Sequence, residues 1–476
     1  MSRRAAALLA GAALLAGCAV TPRYERPPVE LPAAWRAQGA AAAAGVPAAT
    51  DARWWRIYRD AALERLVDEA LAHNTDLLVA AARVDEARAL LGEAEAALQP
   101  GVDANLRPDR TRYSDRQAFP IPPGVPRDRN NIRATLNVSY EIDLWGRLRT
   151  AAQAARAELL AGEAARDTVR IALAAQVVQA YYALRALDAQ LAATRRTLAL
   201  REESLRLQRR RFDGGDLSAF DLRQLEAEAA AVRTQLPPLE RDREVQEAAL
   251  AVLLGRSPRE IFDGTAVQGS LRPDDAEGPM LAPVVPVGLP SELLLQRPDL
   301  VEAEQRLVAA NARVAVARSA YFPSISLTGF LGSESASLSN LFAGPAGIWQ
   351  FAANASQPIF AGGRLEAQAG AAEARERAAI AQYQRAIQNA FREVREALAA
   401  QVRARSSFEA ESERAAALRA ALRLAQLRYE HGIASRLDAI DAERNLLAAE
   451  FARIDALRAQ RAAVADLYRA LGGGTR

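Results

Sequence analysis

A single thiol is the first place to look for chemistry. Cys18 is the only cysteine among 476 residues, so a disulfide within the chain is excluded and an oxidising compartment is permitted but unused. Ahead of it stand Arg3 and Arg4 and an apolar run from Ala5 to Ala16. A basic start, a short greasy stretch and small residues at the cut form the pattern of a secretory signal peptide. The run falls short of the roughly 20 residues that a membrane-spanning helix needs. Leu15-Ala16-Gly17-Cys18 resembles a bacterial lipobox, where the thiol is acylated and becomes the first residue of the mature chain. Residues 1–17 then read as a lipoprotein signal peptide, and Cys18 carries a covalent lipid whose several acyl chains anchor it stably. Ala19 rather than Asp follows, which in lipoprotein sorting looks like an outer-membrane address. The alternative is a plain secretion signal with an incidental cysteine.

Other chemistry finds little support. His73 and His431 are the only histidines, and nothing has the spacing of a metal-ligand cluster. The many Asp and Glu residues sit at helical spacing opposite Arg, which reads as surface pairing rather than acid–base catalysis. "AGGRL" at 361–365 lacks the phosphate-loop pattern, and its glycines suit a strand-to-helix junction. Net charge is +3; loss of Arg3 and Arg4 with the signal brings it close to neutral, which argues against a nucleic-acid partner. "RRR" at 209–211 is read as a solvated face, and lysine is absent throughout. No enzyme and no cofactor are expected, beyond the lipid on Cys18.

The elements that hold these residues are written twice. Shifting the chain by 217 places Gly146-Arg147-Leu148 on Gly363-Arg364-Leu365, Arg211-Phe212 on Arg428-Tyr429, Gly215 on Gly432, Ser218 on Ser435, Asp221 on Asp438 and Leu254-Gly255 on Leu471-Gly472. A shift of 223 places Asp76-Leu77 on Asp299-Leu300, Arg83 on Arg306 and Pro100 on Pro323. The difference must be absorbed between these blocks, where turn-rich segments lie. Segment 18–75 precedes repeat one (76–255), and a linker, 256–298, separates it from repeat two (299–472). Each repeat runs helix, two strands, helical hairpin. The first helix is stopped by Pro100 or Pro323, and the hairpins span 147–254 and 364–471.

Val177, Leu184, Leu191, Leu198, Leu205 and Phe212 recur at heptad steps, the period of left-handed coiled-coil packing. Repeat two keeps Val394, Phe408, Leu422 and Tyr429 on this stripe but has Gln401 and Ala415 in between. Gly214, Gly215 and Gly432 supply permissive backbone for the hairpin reversals, and Ser218 and Ser435 read as N-caps with an acid three residues on. Pro237-Pro238 should kink or break the returning helix of repeat one, whereas repeat two has Ile454-Asp455 there. A helix over 147–212 is about 99 Å long, and 76–98 with 218–254 makes about 90 Å. The near-match suggests two short helices stacked end to end beside one long one, in a long, thin cylinder.

Strands are expected at 101–112, 134–144, 323–332 and 348–360. Leu136, Val138, Tyr140, Ile142 and Leu144 alternate with Thr135, Asn137, Ser139, Glu141 and Asp143, the period of a half-buried strand. About ten residues suffices for a tilted transmembrane strand. Tyr140, Trp145, Trp349 and Phe360 lie towards strand ends, where a membrane girdle would put them. A small soluble sheet capping a helical bundle is the alternative. Four strands in a membrane cannot close a barrel alone, so several chains would share one, with Glu141 and Asp143 lining water.

At this point the residues resemble a known family. "WWRIYRDAALERLVDEALAHNTDLLVAAARV" at 54–84, "DLWGRLR" at 143–149, "GLPSELLLQRPDLVEAEQRLVAANARVAVARSAYFPSISLTGF" at 288–330 and "QPIFAGGRL" at 357–365 are similar to outer membrane factor lipoproteins of tripartite efflux pumps, the NodT-type branch of TolC-like channels. The resemblance implies a mainly α fold with a small membrane β portion: a homotrimer whose twelve-stranded β-barrel, four strands per chain, continues into a long periplasmic α-helical barrel with an equatorial belt. It implies a passive exit duct of an RND-type system, with a periplasmic adaptor, an inner-membrane pump and outer-membrane lipid as partners. It places a closed periplasmic tip at Leu437, Asp441 and Arg444, which fall on one helix face; an ordinary solvated Asp441–Arg444 pair is the alternative. Repeat one has Phe220, Gln224 and Ala227 there, so only the second hairpin should gate. Adaptor contact is expected at the hairpin tips, at Gly214, Gly215, Ser218, His431, Gly432 and Ser435. Two rivals remain: a type I secretion exit duct, and a lipid-anchored coiled-coil adaptor or scaffold without a pore.

Overall fold

The computed structural model describes residues 24–28, 53–114, 116, 118, 121–264, 295 and 297–473. Cys18 and the signal segment, much of 18–75 and most of the 256–298 linker therefore lie outside the described residues.

Element order follows the two repeats. After a 3-10 turn at Trp54–Tyr58 come α1 (Ala61–His73), α2 (Thr75–Ala96), β1 (Gly101–Arg112), β2 (Asp128–Ile142), α3 (Arg147–Asp213), α4 (Ala219–Arg233), α5 (Leu236–Leu253) and the short α6 (Pro258–Phe262). Then follow α7 (Pro298–Ser319), β3 (Ser324–Ser335), β4 (Gly347–Ser356), α8 (Arg364–Glu430) and α9 (Arg436–Ala470). The long helices α3 and α8 each contain 67 residues, which at 1.5 Å per residue makes each about 100 Å long. Helices α2 and α7 match at 22 residues, and β1 and β3 at 12. The mismatch between the two shifts therefore falls between β1 and α3: the β1–β2 connection and β2, with 15 residues against 10 in β4, are longer than in repeat two, and the junction from β2 into α3 is shorter.

Strand ends depart from the alternation. β2 begins at Asp128, ahead of the alternating stretch, because its polar start pairs residue for residue with Arg107–Arg112 of β1. β3 runs on to Ser335 through pairing with Ile132. β4 stops at Ser356, two residues before Pro358, which has no amide to give a ladder. The sheet order is β1-β2-β3-β4, all antiparallel. β2 of repeat one thus pairs with β3 of repeat two.

The chain divides into two compact units that each draw on both repeats. The first takes in Met1–Pro28, Arg83–Glu163 and Glu302–Gln384; the second takes in Val29–Ala82, Ala164–Val301 and Arg385–Arg476. In the first, the sheet is the main feature. Arg26 grips Glu304 of α7 through two 2.7 Å hydrogen bonds, tying the start of the described chain to that helix.

The second unit has an aromatic-rich core. Trp54, Trp55 and Tyr58 pack with Leu63, Leu66 and Val67 of α1 against Val177, Tyr181, Tyr182 and Leu184 of α3. Trp54 stacks on Tyr468 at 5.1 Å, and the Tyr181 hydroxyl donates to Asp60, which also caps α1. Along the α3 heptad stripe, Val177, Leu184 and Leu191 are buried, Leu198 and Leu205 are half-buried and Phe212 is exposed. Ala415, a weak heptad residue by size, is buried on the α8 stripe.

Helix ends in this unit are joined by side chains. Asn74 accepts the amides of Asp76 and Leu77 at its Oδ1, capping α2, while its Nδ2 donates to the Leu253 carbonyl at the end of α5. At the repeat-equivalent place, Arg297 donates to the Ala470 carbonyl at the end of α9 and is held by Asp299 and Glu393. The start of α2 thereby abuts the end of α5. Gly255, at φ +72°, follows α5, and a Cβ there would lie 2.2 Å from the His73 carbonyl oxygen, so this approach needs glycine.

The Pro237-Pro238 pair interrupts the returning helix as expected. α4 ends at Arg233 and α5 starts at Leu236, with proline in its first turn, where a missing amide donor is harmless. Thr234 and Gln235 keep right-handed helical dihedrals, so the hydrogen-bond ladder breaks without reversing the chain. Its counterpart α9 is continuous over 35 residues.

Candidate functional site

Three places bear on function: the faces of the sheet, the hairpin tips and the start of α9.

Residues opposite one another in an antiparallel ladder point to the same side. The register therefore sorts most of the sheet, with Phe330 and Ile348 on the polar side and Arg110 and Asn130 on the apolar side as exceptions. One side carries Val102, Ala104 and Leu106 of β1, Ala134, Leu136 and Val138 of β2, Leu327 and Leu331 of β3, and Trp349, Phe351 and Ala353 of β4. It is strongly exposed in the single chain: Trp349 is 74% and Phe351 78% accessible, and Val102 and Leu106 are each 66% accessible. The other side carries Asp103, Asn105, Asn137, Ser139, Glu141, Thr328, Gln350 and Asn354, with cross-strand bonds such as Asn137 Nδ2 to Asp103 at 2.8 Å. Glu141 belongs to this polar side and pairs with Arg147 at 2.7 Å. Asp143 instead leaves the sheet, accepting the amides of Leu148 and Arg149 at 3.0 and 2.9 Å to start α3. Trp145 donates to the Pro323 carbonyl and lies against Phe322 at the same end of the sheet.

Both hairpin tips close with the same backbone bonds. Gly214 donates to Arg210, Gly215 to Phe212 and Asp216 to Arg211; at the equivalent places His431 donates to Leu427, Gly432 to Tyr429 and Ile433 to Arg428. Gly215 and Gly432 have φ of +85° and +69°, the left-handed closure that ends many helices. His431 thus occupies the place of Gly214, with its side chain exposed. Ser218 accepts the Asp221 amide, and Ser435 with Asp438 completes a full capping box.

On α9, Asp441 and Arg444 form an i,i+3 ion pair in this chain, and Leu437 is 43% exposed. The structure thus gives the two charges a partner within one protomer. Sequence reasoning missed what lies beside them. Arg201 of α3, with a side chain only 6% exposed, binds Glu228 of α4 at 2.8 Å and lies 3.7 Å from Glu443 of α9. Arg444 comes within 4.0 Å of the same Glu228. Nearer the tips, Arg436 donates to Ser204 at 2.8 Å and Gln208 to the Tyr429 hydroxyl at 3.4 Å. Arg201 lies among many arginines of α3, and only its partners distinguish it. Among the described residues, no group of three or more His, Cys, Asp or Glu side chains could hold a metal ion, and no helix is long and apolar enough to cross a membrane.

Comparison with known proteins agrees with this geometry. The outer membrane efflux protein family matches residues 66–256 and 289–473. The chain is 36% identical to the toluene efflux pump outer membrane protein TtgC of Pseudomonas putida, over 100% of this chain and 96% of that one. It is 37% identical to the outer membrane protein OprJ of Pseudomonas aeruginosa, covering 97% of this chain and 94% of the relative. Its fold superposes on the Campylobacter jejuni CmeC outer membrane channel with a TM-score of 0.88 at 26% identity, over 96% of this chain and 95% of that one. These are TolC-like channels, mainly α with a small antiparallel sheet. The two-repeat sequence, the two-faced sheet and the long hairpins thus have one common explanation: the chain belongs to the outer membrane efflux protein family.

Proposed function

We propose that three copies of this chain join edge to edge into one twelve-stranded barrel and serve as the passive exit duct of a tripartite efflux system. One observation carries this reading: the sheet has an exposed apolar face, a polar reverse face, and two outer strands, β1 and β4, without a further neighbour among the described residues. An apolar face of this extent calls for lipid, and free strand edges are not tolerated within lipid. Eight strands enclose only enough room for side chains, so two copies would plug their own bore. Three leave a lumen, lined by the polar side.

The remaining assignments rest on this arrangement. Cys18 carries the lipid anchor. The tips at Gly214, Gly215, Ser218, His431, Gly432 and Ser435 meet a periplasmic adaptor, and an inner-membrane pump of the RND type supplies the energy. Leu437, Asp441 and Arg444 line the resting constriction, which opens when the second hairpins move apart. TtgC is named for toluene efflux; for this chain the cargo class is small organic molecules, drugs included.

Purified, lipidated protein tests the reading directly. It should migrate as a heat-dissociable trimer and give discrete single-channel currents in planar bilayers. A compact monomer without conductance would overturn it.

A further inference from the structure

The polar side of the sheet contains one arrangement that stability alone disfavours. Arg107 of β1 stands directly opposite Arg133 of β2. Residues so placed have Cβ atoms about 4.5–5.5 Å apart, and like charges there are destabilising. The row continues into β3, where Glu334 stands opposite Arg133.

The two arginines are treated differently. Arg133 is steadied, its guanidinium lying 4.3 Å over the Phe330 ring and its Nε 4.0 Å from Glu334. Glu334 is shared, since it also accepts Asn131 Nδ2 at 2.9 Å. Arg107 is exposed and makes no ion pair among the described residues. The row therefore holds two guanidiniums against one carboxylate. The row on one side, Asn105 with Thr135 and Gly332, is uncharged. On the other side Asp109 faces Asn131, and its carboxylate takes the Thr111 hydroxyl at 3.4 Å. That row is about 7 Å further along the strands.

We infer that Arg107 and Arg133 form a two-guanidinium seat for anionic groups, carboxylate or phosphate, on the inner wall of the barrel near the end bearing the β1–β2 loop. The inference rests on the trimeric duct proposed above, in which the seat recurs once per chain as a ring. Paired guanidiniums suit such groups because their donors match the oxygens in a planar fork. Phe330 and Glu334 hold one fork in place, and Arg107 remains free to close on a passing solute. Rings of arginine bias pores towards anions, so the seat favours exit of acidic cargo and disfavours entry of cations.

The full-length lipidated trimer in planar bilayers, under a potassium chloride gradient, provides the test, with sodium tripolyphosphate added on the side of the β1–β2 loop. Wild type should be blocked by tripolyphosphate. Arg107→Gln should lose the block and raise the potassium-to-chloride permeability ratio about twofold or more. Arg107→Lys should keep the wild-type ratio, since it preserves the charge. Because Arg107 has no partner to strand, the Gln variant should assemble normally, as gel migration of the trimer will show. Equal block and equal permeability ratio in wild type and Arg107→Gln would overturn the seat while leaving the duct intact. Absence of any current from the wild-type trimer would instead overturn the duct, and the seat with it.

Discussion

Asn74 and Arg297 occupy equivalent positions in the two repeats, and each donates to the last helical carbonyl of its returning helix, Leu253 or Ala470. One amide both caps α2 and reaches α5. The other repeat divides these tasks, Asp299 accepting the Leu300 amide while Arg297 reaches α9. Arg297→Ala should be the costlier change, at about 2–3 kcal/mol, because it takes a charged donor from the Ala470 carbonyl and from two half-buried carboxylates at once. Asn74→Ala should cost about 1–2 kcal/mol for a lost cap and hydrogen bond. Arg297→Lys should not restore stability, since it lacks the fork. Thermal loss of helical circular dichroism checks the ranking; an Arg297→Ala midpoint equal to wild type would refute the joint.

The aromatic core sets an alkaline limit. Burial raises the Tyr58 hydroxyl well above its ordinary pKa, with Tyr182 beside it adding to the effect, and burial raises Tyr182 likewise. Protonated forms are thus favoured by folding, so this stabilisation is complete below about pH 10 and declines as pH rises further. Tyrosinate absorbance should show these two rings ionising only as the helices melt. The double change Tyr58→Phe, Tyr182→Phe should remove their share of the alkaline fall; an unchanged pH dependence would count against the assignment.

Neutralising Asp441→Asn together with Arg444→Gln should leave the trimer assembled and raise channel open time several-fold. Cells carrying it should become more sensitive to large antibiotics. Replacing Gln224, the repeat-one counterpart of Asp441, by Ala should do neither. If the double variant conducts like wild type, α9 does not form the constriction.

Arg201 holds Glu228 and Glu443 together from a nearly dry position. Arg201→Ala should cost about 3–5 kcal/mol by leaving both carboxylates without it, and Glu443→Gln should cost less because its contact is longer. Backbone hydrogen exchange across α4 and the first turns of α9 should accelerate in Arg201→Ala. Unchanged protection there would show that the network is dispensable.

Much of this was legible from residue order. The 217 shift alone aligns α3 with α8 at both ends, since helix stops and caps are local chemistry written in glycine and serine. The Pro237-Pro238 interruption was equally local. What stayed hidden depends on pairing between distant segments. The polar opening of β2 has no alternation to announce it and is a strand only because β1 lies alongside. Asp143 looked like one more lumen-facing acid, yet it caps α3. Arg201 and Arg107 are ordinary arginines in the sequence, and only burial between two carboxylates in the one case and an opposed like charge in the other mark them out.

The gap at Thr234–Gln235 leaves the first hairpin jointed, while α9 runs through as a single rod. A rod transmits torque from one end to the other, and a joint absorbs it. The first returning helix can therefore flex at a point where its copy cannot without breaking backbone hydrogen bonds, while α3 and α8 beside them stay equally unbroken.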